Sequence, residues 1–146
     1  MTTIIPTTRQ KRFFAVAKRN SEKSTYSRWN RTAGQGRISI GAAIINGNYV
    51  ISGGHNKTKT HTFQHINNCK HLNYKAPAPR IHAEVDALIY SRYNDLSGCE
   101  IFVYREMADG SLGNCRPCAA CMGALRNAGI KHLYYTSEQG YHYEKI

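Results

Sequence analysis

The sequence predicts an α/β protein, because apolar runs of strand length alternate with longer segments of helical periodicity along its 146 residues. The strongest short-range signal is Asn46-Gly47, which is typical of a hairpin turn and makes the first two predicted strands antiparallel neighbours. Only residues 137–140 separate the last two predicted strands, whereas a parallel crossover needs about a dozen residues or more. The fifth strand is therefore expected to run antiparallel to the fourth.

The sequence predicts three helices. The first spans residues 8–23, where Phe13, Phe14, Val16 and Ala17 form an apolar patch on a basic helix. The second begins at Ile81 and runs to about residue 93. The third spans residues 116–128, with a proline allowed in its first turn and Gly129 as its stop.

The predicted strands are short apolar runs bounded by glycine, asparagine or serine. Gly34-Gln35-Gly36 separates the first helix from the first strand. The strands are expected at residues 38–45, 49–52, 100–104, 131–136 and 141–145.

Residues 55–80 are predicted to be a long irregular stretch, closed by Pro77 and Pro79. The stretch holds four of the seven histidines, one cysteine and five basic residues, and no acid. Loops of this length in compact domains are usually functional. We expect it to cover the substrate or to contact a phosphate through Lys57, Lys59 and Arg80. The less favoured interpretation is a second, structural zinc that uses Cys69 with His61, His65 or His71.

Composition and charge narrow the class of protein. Hydrophobic residues make up 41% of the chain, so one packed domain over residues 1–146 is expected. The chain has no apolar run of eighteen residues and its first residues show no apolar signal region, which predicts a cytoplasmic protein without a membrane partner. Five cysteines, an odd number, argue against a disulfide framework.

The positive charge is concentrated at the N-terminus. Residues 1–37 hold nine of the 20 lysines and arginines and a single acid, Glu22, so this segment carries +8 of the formal net charge of +11. We interpret it as a basic helix and linker that precede a catalytic core over residues 38–146. The basic surface favours a phosphate or nucleic acid partner. It is more typical of the solvated face of a helix docked on a sheet, which is the interpretation we favour.

Two short motifs predict a metal site. In Ile81-His82-Ala83-Glu84 the histidine and the glutamate lie in the first turn of a predicted helix, and Cys118 and Cys121 share a face of another because they are three residues apart. One histidine and two cysteines are zinc ligands, and three protein ligands leave the fourth position open for water. A glutamate beside them could then carry the proton of that water.

Other kinds of site use the same residue types. Cys115 could close the metal site as a fourth ligand, which would make the zinc structural and leave Glu84 without a role. A redox pair is a second alternative, but that motif usually follows the first strand of a βαβ unit. His82 alone could be a satisfied core histidine. The joint order of His82, Glu84, Cys118 and Cys121 favours the catalytic interpretation over these.

At residues 81–88 and 116–121, the pattern His-x-Glu followed by Pro-Cys-x-x-Cys resembles the cytidine and deoxycytidylate deaminase superfamily, which includes tRNA adenosine deaminases. The resemblance covers roughly residues 38–146. It implies a three-layer α/β/α fold with a five-stranded mixed sheet in the order 2-1-3-4-5. It also implies one catalytic zinc and a homo-oligomer.

Carried over residue by residue, the resemblance assigns His82, Cys118 and Cys121 as zinc ligands and Glu84 as proton shuttle. Gly54-His55-Asn56 resembles a Gly-x-Asn motif whose asparagine contacts the sugar or base. Ala83 matches a position whose backbone N–H meets the base. The long loop after Asn56 and the lack of C-terminal helices depart from the small nucleoside enzymes and the tRNA enzymes, respectively.

The sequence therefore predicts a zinc-dependent hydrolase acting on C–N bonds of cyclic amidines. The expected reaction is deamination of a cytosine ring in a small nucleoside or nucleotide, with release of ammonia. Three alternatives stay open: a deaminase of a base within DNA or tRNA, a purine-base deaminase, and a non-catalytic zinc-stabilised binding module. The polynucleotide alternative predicts that the basic N-terminal segment lies beside the pocket and that binding weakens steeply with salt.

Overall fold

The computed structural model describes residues 2–24, 38–72, 80–92 and 95–146. Within these residues there are six strands: β1 Thr2–Ile4, β2 Ile40–Asn46, β3 Tyr49–His55, β4 Glu100–Arg105, β5 His132–Ser137 and β6 Gly140–Lys145. The described residues also form four helices: α1 Thr8–Ser21, α2 Thr62–Leu72, α3 Ala83–Ser91 and α4 Ala119–Asn127. The predicted break at residues 34–36, the prolines Pro77 and Pro79, and the predicted helix end at residue 93 lie outside the described residues.

The strands form one sheet in the order β1-β6-β5-β4-β2-β3. Strands β4 and β5 are parallel, and all other neighbours are antiparallel. The predicted order 2-1-3-4-5 and the antiparallel last strand are confirmed by β3-β2-β4-β5-β6. The additional strand β1 was not expected, because three residues are too few to show a periodic pattern; it pairs Thr2–Ile4 with residues 141–143 of β6.

Side chains alternate between the two faces of the sheet and fill two separate cores. On one face, Phe13, Phe14 and Ala17 of α1 pack against Ala43 and Ile45 of β2. On the other face, buried side chains of α3 and α4 pack against Ala42 and Ile44 of β2. This second core consists mainly of Ala42, Ile44, Ala83, Ala87, Ile101, Val103, Met122, Leu125 and Leu133. The chain therefore has the predicted three layers, with α1 on one face of the sheet and α3 and α4 on the other.

The predicted hairpin is present, but its turn lies one residue later than expected. Asn46 pairs with Tyr49, so Gly47 and Asn48 are the two loop residues. Gly47 has a φ of 62°, and a positive φ at the first loop position is typical of the tight turns that suit the twist of a hairpin. Asn46 is thereby free to end β2 as a strand residue.

The prediction that residues 55–80 are irregular is wrong in part, because α2 occupies Thr62–Leu72. The segment has few apolar residues, and Phe63 and Ile66 are among the exposed ones. Its buried residues include the polar side chains Gln64, Asn67 and Asn68, which carry no apolar periodicity. Packing beside α4, rather than a hydrophobic pattern in the segment itself, determines that α2 is helical.

Several cations of α1 are engaged in contacts within the chain. Arg9 binds Glu100 at 2.6 Å and also donates to the carbonyl of Gly47, and Arg12 donates to the carbonyl of Asn48 at 3.1 Å. These contacts lie at the hairpin end of the sheet. The remaining basic residues of the predicted linker, Arg28, Arg31 and Arg37, lie outside the described residues. Across the part of the chain that the structure describes, no helix combines the length and apolarity needed to cross a bilayer.

Candidate metal and catalytic site

Two helices on the same face of the sheet begin at the predicted metal ligands. His82 is the N-cap of α3 and Cys118 is the N-cap of α4, both with extended backbone angles. The predicted starts at Ile81 and Arg116 are therefore wrong by two and three residues. Neither side chain caps its own helix, although capping is the usual task of the residue at this position. Both side chains instead point to a common centre.

The ligand atoms of His82, Cys118 and Cys121 lie within 4.8 Å of one another. The Nδ1 atom of His82 is 3.3 Å from the Sγ of Cys121 and 3.6 Å from the Sγ of Cys118. A tetrahedral zinc with ordinary Zn–S and Zn–N bond lengths would separate such atoms by roughly 3.5–3.8 Å. The donor set and its spacing therefore fit a zinc ion.

The electrostatics of the cluster favour a cation. Hydrogen bonding from Cys121, together with that from His82, lowers the pKa of the Cys118 thiol to about 4. The hydrogen bond with Cys118 in turn raises the pKa of His82, although burial opposes this shift. A thiolate at neutral pH is the form that coordinates metals. The cluster thus offers a metal ion one thiolate, that of Cys118, beside His82 and Cys121.

Cys115 does not belong to this cluster. Its thiol lies 3.2 Å from the hydroxyl oxygen of Thr136 and contacts the carbonyl of the same residue. Burial raises the pKa of the Cys115 thiol to about 12, so the sulfur stays protonated. Within the described residues, no fourth histidine, cysteine or carboxylate joins His82, Cys118 and Cys121. The site therefore has the three-ligand form that leaves a position for water.

Glu84 lies in the first turn of α3 beside this cluster, and only 4% of its surface is exposed. Burial raises the pKa of its carboxyl above the ordinary value, while the charge of His82 and a hydrogen bond with Cys121 oppose the shift. A carboxyl whose pKa moves toward neutrality can both accept and donate a proton at physiological pH. Glu84 is therefore suited to proton transfer beside the candidate metal ligands.

A cleft of about 310 Å³ opens over the cluster. Its lining includes Asn56, His82, Ala83, Glu84 and Cys118, which are the predicted site residues apart from the fully buried Cys121. This volume is at the lower end of the range for pockets that bind small molecules. A larger cavity of about 440 Å³ lies between α2, α3 and α4, but His61 is the one ionisable side chain among its described lining residues. The chemistry therefore belongs to the smaller cleft.

The two predicted substrate contacts both reach the cleft. Ala83 is the first residue of α3, whose N-cap makes no side-chain hydrogen bond, so N–H groups of the first turn remain for a ligand. The amide of Asn56 is tightly held: its oxygen accepts from the Ser24 hydroxyl at 2.5 Å and from the Ile40 N–H at 3.0 Å. Its nitrogen donates to the carbonyl of Ile38 at 3.1 Å. Asn56 is therefore fixed in position before any substrate arrives.

The expectation that Lys57 contacts a phosphate is not supported by its surroundings. Its ammonium lies 2.7 Å from a carboxylate oxygen of Asp86, and both side chains are buried. The same carboxylate accepts from the backbone N–H of His55 at 3.0 Å. Lys57 therefore neutralises a buried acid of α3 rather than presenting charge to the cleft.

Sequence reasoning missed three residues near the site. Gln64 of α2 is fully buried and accepts a hydrogen bond from the backbone N–H of His82 at 3.0 Å. Asn114 and Arg116 line the cleft, and Arg116 forms two hydrogen bonds with Glu144. Arg116 directly precedes Pro117-Cys118, so its position in the motif was the available signal. Gln64 is distant in sequence from the motif and gave no signal.

The predicted second zinc near Cys69 and His71 gains no further support from the geometry. Cys69 is exposed and lies 3.7 Å from the Nε2 of His65, one helical turn earlier in α2. The ring of His71 instead packs against Gly123 of α4, where a Cβ atom would overlap it. Among the described residues, His82, Cys118 and Cys121 form the single group of three or more candidate ligands.

Residues 8–137 match the family model described as the cytidine and deoxycytidylate deaminase zinc-binding region. Among solved structures, the fold is similar to that of the dCMP deaminase from the cyanophage S-TIM5 in apo form. The TM-score is 0.58 and the identity 18%, over 92% of this chain and 86% of that one. A cytidine deaminase from Burkholderia pseudomallei has a TM-score of 0.60 and 19% identity, over 92% of this chain and 91% of that one. Comparison with curated protein sequences finds no match.

Proposed function

Since the chain belongs to the cytidine and deoxycytidylate deaminase family, we propose that it catalyses the zinc-dependent hydrolytic deamination of a cytosine ring in a small nucleoside or nucleotide. The observation that carries this proposal is the buried Glu84 beside a three-ligand His82, Cys118 and Cys121 cluster, at the bottom of one cleft. A structural zinc site would be closed by a fourth ligand and would need no buried acid.

Each residue of the site has a distinct task in this reaction. His82, Cys118 and Cys121 would hold zinc, which when bound supplies a Lewis acid and hydroxide at neutral pH. Glu84 would take a proton from the attacking water and then deliver protons to the ring nitrogen and to the departing amine. Burial keeps bulk water from this carboxyl and brings its pKa closer to the pH at which it works.

The walls of the cleft would orient the base and the sugar. We propose that the first-turn N–H of Ala83 meets the base and that Asn56 offers its remaining amide hydrogen to the sugar or base. Ser24, Ile38 and Ile40 hold the Asn56 amide in place, so little conformational freedom is lost when a substrate binds. The cleft volume of about 310 Å³ is suited to one nucleoside or nucleotide.

The position of α1 argues against a polynucleotide substrate as the first choice. Arg9 and Arg12 contact the hairpin at Gly47 and Asn48, at the end of β2, whereas the cleft lies near the other end of that strand, at Ile40. Arg9 and Arg12 therefore lie away from the cleft, and none of the described cations of α1 is among the residues that line it. A small substrate is the simpler fit.

The proposal is tested by incubating the zinc-loaded full chain with cytosine, cytidine, CMP, dCMP, guanine, adenosine and single-stranded oligonucleotides. Ammonia release is the measurement, with the Glu84→Gln variant as a matched control. Ammonia from cytidine or a cytidine nucleotide supports the proposal. Ammonia from purines or oligonucleotides alone would overturn the substrate assignment, and a zinc-loaded chain that releases none from any of them would overturn the activity. Sedimentation of the same sample tests the expected homo-oligomer.

A further inference from the structure

Helix α2 places a fully buried glutamine directly behind the metal cluster. Gln64 has no exposed surface, and its two polar atoms each have a partner. Its Oε1 accepts the backbone N–H of His82 at 3.0 Å, and its Nε2 donates to Oδ1 of Asn68 at 2.9 Å. A buried amide is tolerated only when its polar atoms are hydrogen-bonded, so this pair of bonds determines which way the carboxamide points.

The Asn68 bond orients the glutamine toward the histidine. Asn68 is one helical turn after Gln64 and is also buried. Because it takes the NH₂ end of the Gln64 amide, the oxygen end faces His82. The backbone N–H of His82 can only donate, so it matches the oxygen end of this amide.

His82 is held at three points by this arrangement. Its carbonyl accepts the Asp86 N–H at 3.0 Å as the first bond of α3, and its N–H is held by Gln64. Its Nδ1 faces the thiols of Cys118 and Cys121. Fixing both backbone groups of an N-cap residue fixes its φ and ψ, and these angles determine the direction in which the imidazole leaves the chain.

We propose that Gln64 is a positioning residue that holds His82 in the orientation needed to coordinate zinc. The inference rests on the proposed function, since it requires that His82 is a zinc ligand. It gives α2 a role: the helix lies beside α4, which begins at Cys118, and touches the start of α3, so it braces both halves of the metal site. Outer groups of this kind commonly change metal affinity by about 10–100-fold when removed.

The test compares Gln64→Met with Asn67→Leu in the full chain. Methionine keeps the length of the side chain but removes the acceptor for the His82 N–H. Asn67 is a matched control, because it is buried in the same helix and its amide donates to the Phe63 carbonyl at 2.9 Å, away from His82. The measurements are zinc affinity by competition with a chromogenic chelator and the visible absorption of the cobalt-substituted protein, which reports ligand geometry.

We expect Gln64→Met to bind zinc about 10–100-fold more weakly and to shift the cobalt spectrum. Asn67→Leu should leave both unchanged. Equal affinity in Gln64→Met and the parent chain, or equal weakening in both variants, would overturn the inference. Should Gln64→Met fail to fold, Gln64→Glu provides the test. Its carboxylate still accepts the His82 N–H, so this variant should retain most of the zinc affinity. A large loss of zinc affinity in Gln64→Glu would count against the inference.

The outcome for Gln64 can be told apart from the outcome for the proposed function. A parent chain that binds zinc tightly but deaminates nothing refutes the proposed function, and the zinc affinity of the Gln64 variants still tests the positioning role. A parent chain that deaminates while Gln64→Met keeps its zinc affinity and cobalt spectrum refutes the positioning role alone.

Discussion

The Nδ1 atom of His82 and the Sγ atom of Cys121 lie 3.3 Å apart, although 39 positions of the chain separate the two residues. The two helices that start at this point pack on the same face of the sheet, so the spacing of α3 and α4 determines the distance between the ligands. Substitutions that change the spacing of the two helices should therefore change zinc affinity. Substitutions that change the charge of the site should instead change the rate of catalysis.

Replacing Glu84 by glutamine should abolish ammonia release while zinc content and folding are kept. Glutamine has the same shape but cannot accept the proton, and general acid–base catalysis typically contributes about 10²–10⁴-fold to the rate. Glu84 is outside the ligand cluster, and a neutral amide removes the unfavourable burial of a carboxylate. Activity, zinc content and urea unfolding are measured on the same sample.

Loss of zinc in Glu84→Gln would contradict the prediction that Glu84 acts only in proton transfer, because it would make the glutamate a ligand or a structural support. Retained activity in a zinc-loaded variant would show that another group carries the proton. Cytidine, or whichever substrate the panel identifies, serves as the common substrate.

Replacing Cys115 by serine should leave one bound zinc and near-parent activity. Its thiol contacts Thr136 and lies outside the ligand cluster, so the smaller serine removes a buried sulfur without removing a ligand. Cys118→Ser is the matched change at a ligand and should lose most of the zinc. Metal content after dialysis distinguishes the two variants; a zinc-deficient Cys115→Ser would instead favour a closed, structural four-ligand site.

Replacing Lys57 by methionine should destabilise the fold rather than weaken nucleotide binding. The change leaves Asp86 buried without its partner, and breaking a buried ion pair from one side commonly costs about 3–5 kcal/mol. The double variant Lys57→Met/Asp86→Asn should recover part of the loss, because no isolated charge remains. Urea unfolding measures both, and KM for a nucleotide relative to its nucleoside should stay at the parent value.

The same variant has a defined pH dependence. Although burial opposes it, the hydrogen bond with Asp86 raises the pKa of Lys57 above its ordinary 10.5. A raised lysine pKa stabilises the fold fully at pH values below the unfolded-state pKa, and the stabilisation is lost as the pH rises through the folded-state pKa. On the alkaline side, the difference in unfolding free energy between parent and Lys57→Met should therefore persist from pH 7 to about pH 10.5 and shrink above it. A difference that vanished near neutrality would contradict the ion pair.

The cluster of His82, Cys118 and Cys121 could be predicted from sequence because each half of it is local. His82 and Glu84 share one helical turn, as do Cys118 and Cys121, so residue spacing alone brings their side chains together. Strands β2 to β6 were recognisable for a similar reason, since each is an apolar run with a turn signal beside it. Local patterns determine these elements, and tertiary contacts only confirm them.

The features that sequence reasoning missed depend on contacts between distant segments. In the sequence, nothing distinguishes Lys57 from a free surface cation or Gln64 from an exposed polar residue. The structure shows that Lys57 pairs with Asp86 and that Gln64 binds the backbone N–H of His82. Helix α2 buries amide side chains rather than an apolar stripe, so no hydrophobic periodicity in the sequence predicts it. Polar burial satisfied by a partner far along the chain leaves no signal in a single sequence.

Two glycines offer the sharpest test of the link between helix spacing and the metal site. A Cβ atom on Gly54 of β3 would overlap the carbonyl oxygen of Ala83 and the amide nitrogen of Ala87, both in the backbone of α3. A Cβ atom on Gly41 of β2 would overlap the backbone of α1 instead, on the opposite face of the sheet. Overpacking of this kind typically costs about 1–3 kcal/mol.

Gly54→Ala should therefore lower both the free energy of unfolding and the zinc affinity, because it pushes the helix that starts at His82 away from the sheet. Gly41→Ala should lower the free energy of unfolding by a similar amount but leave zinc affinity near the parent value, since α1 holds no ligand. Urea unfolding of the zinc-free chains and chelator competition measure the two quantities separately. Equal zinc affinities for the two variants would show that the position of α3 on the sheet does not control the metal site.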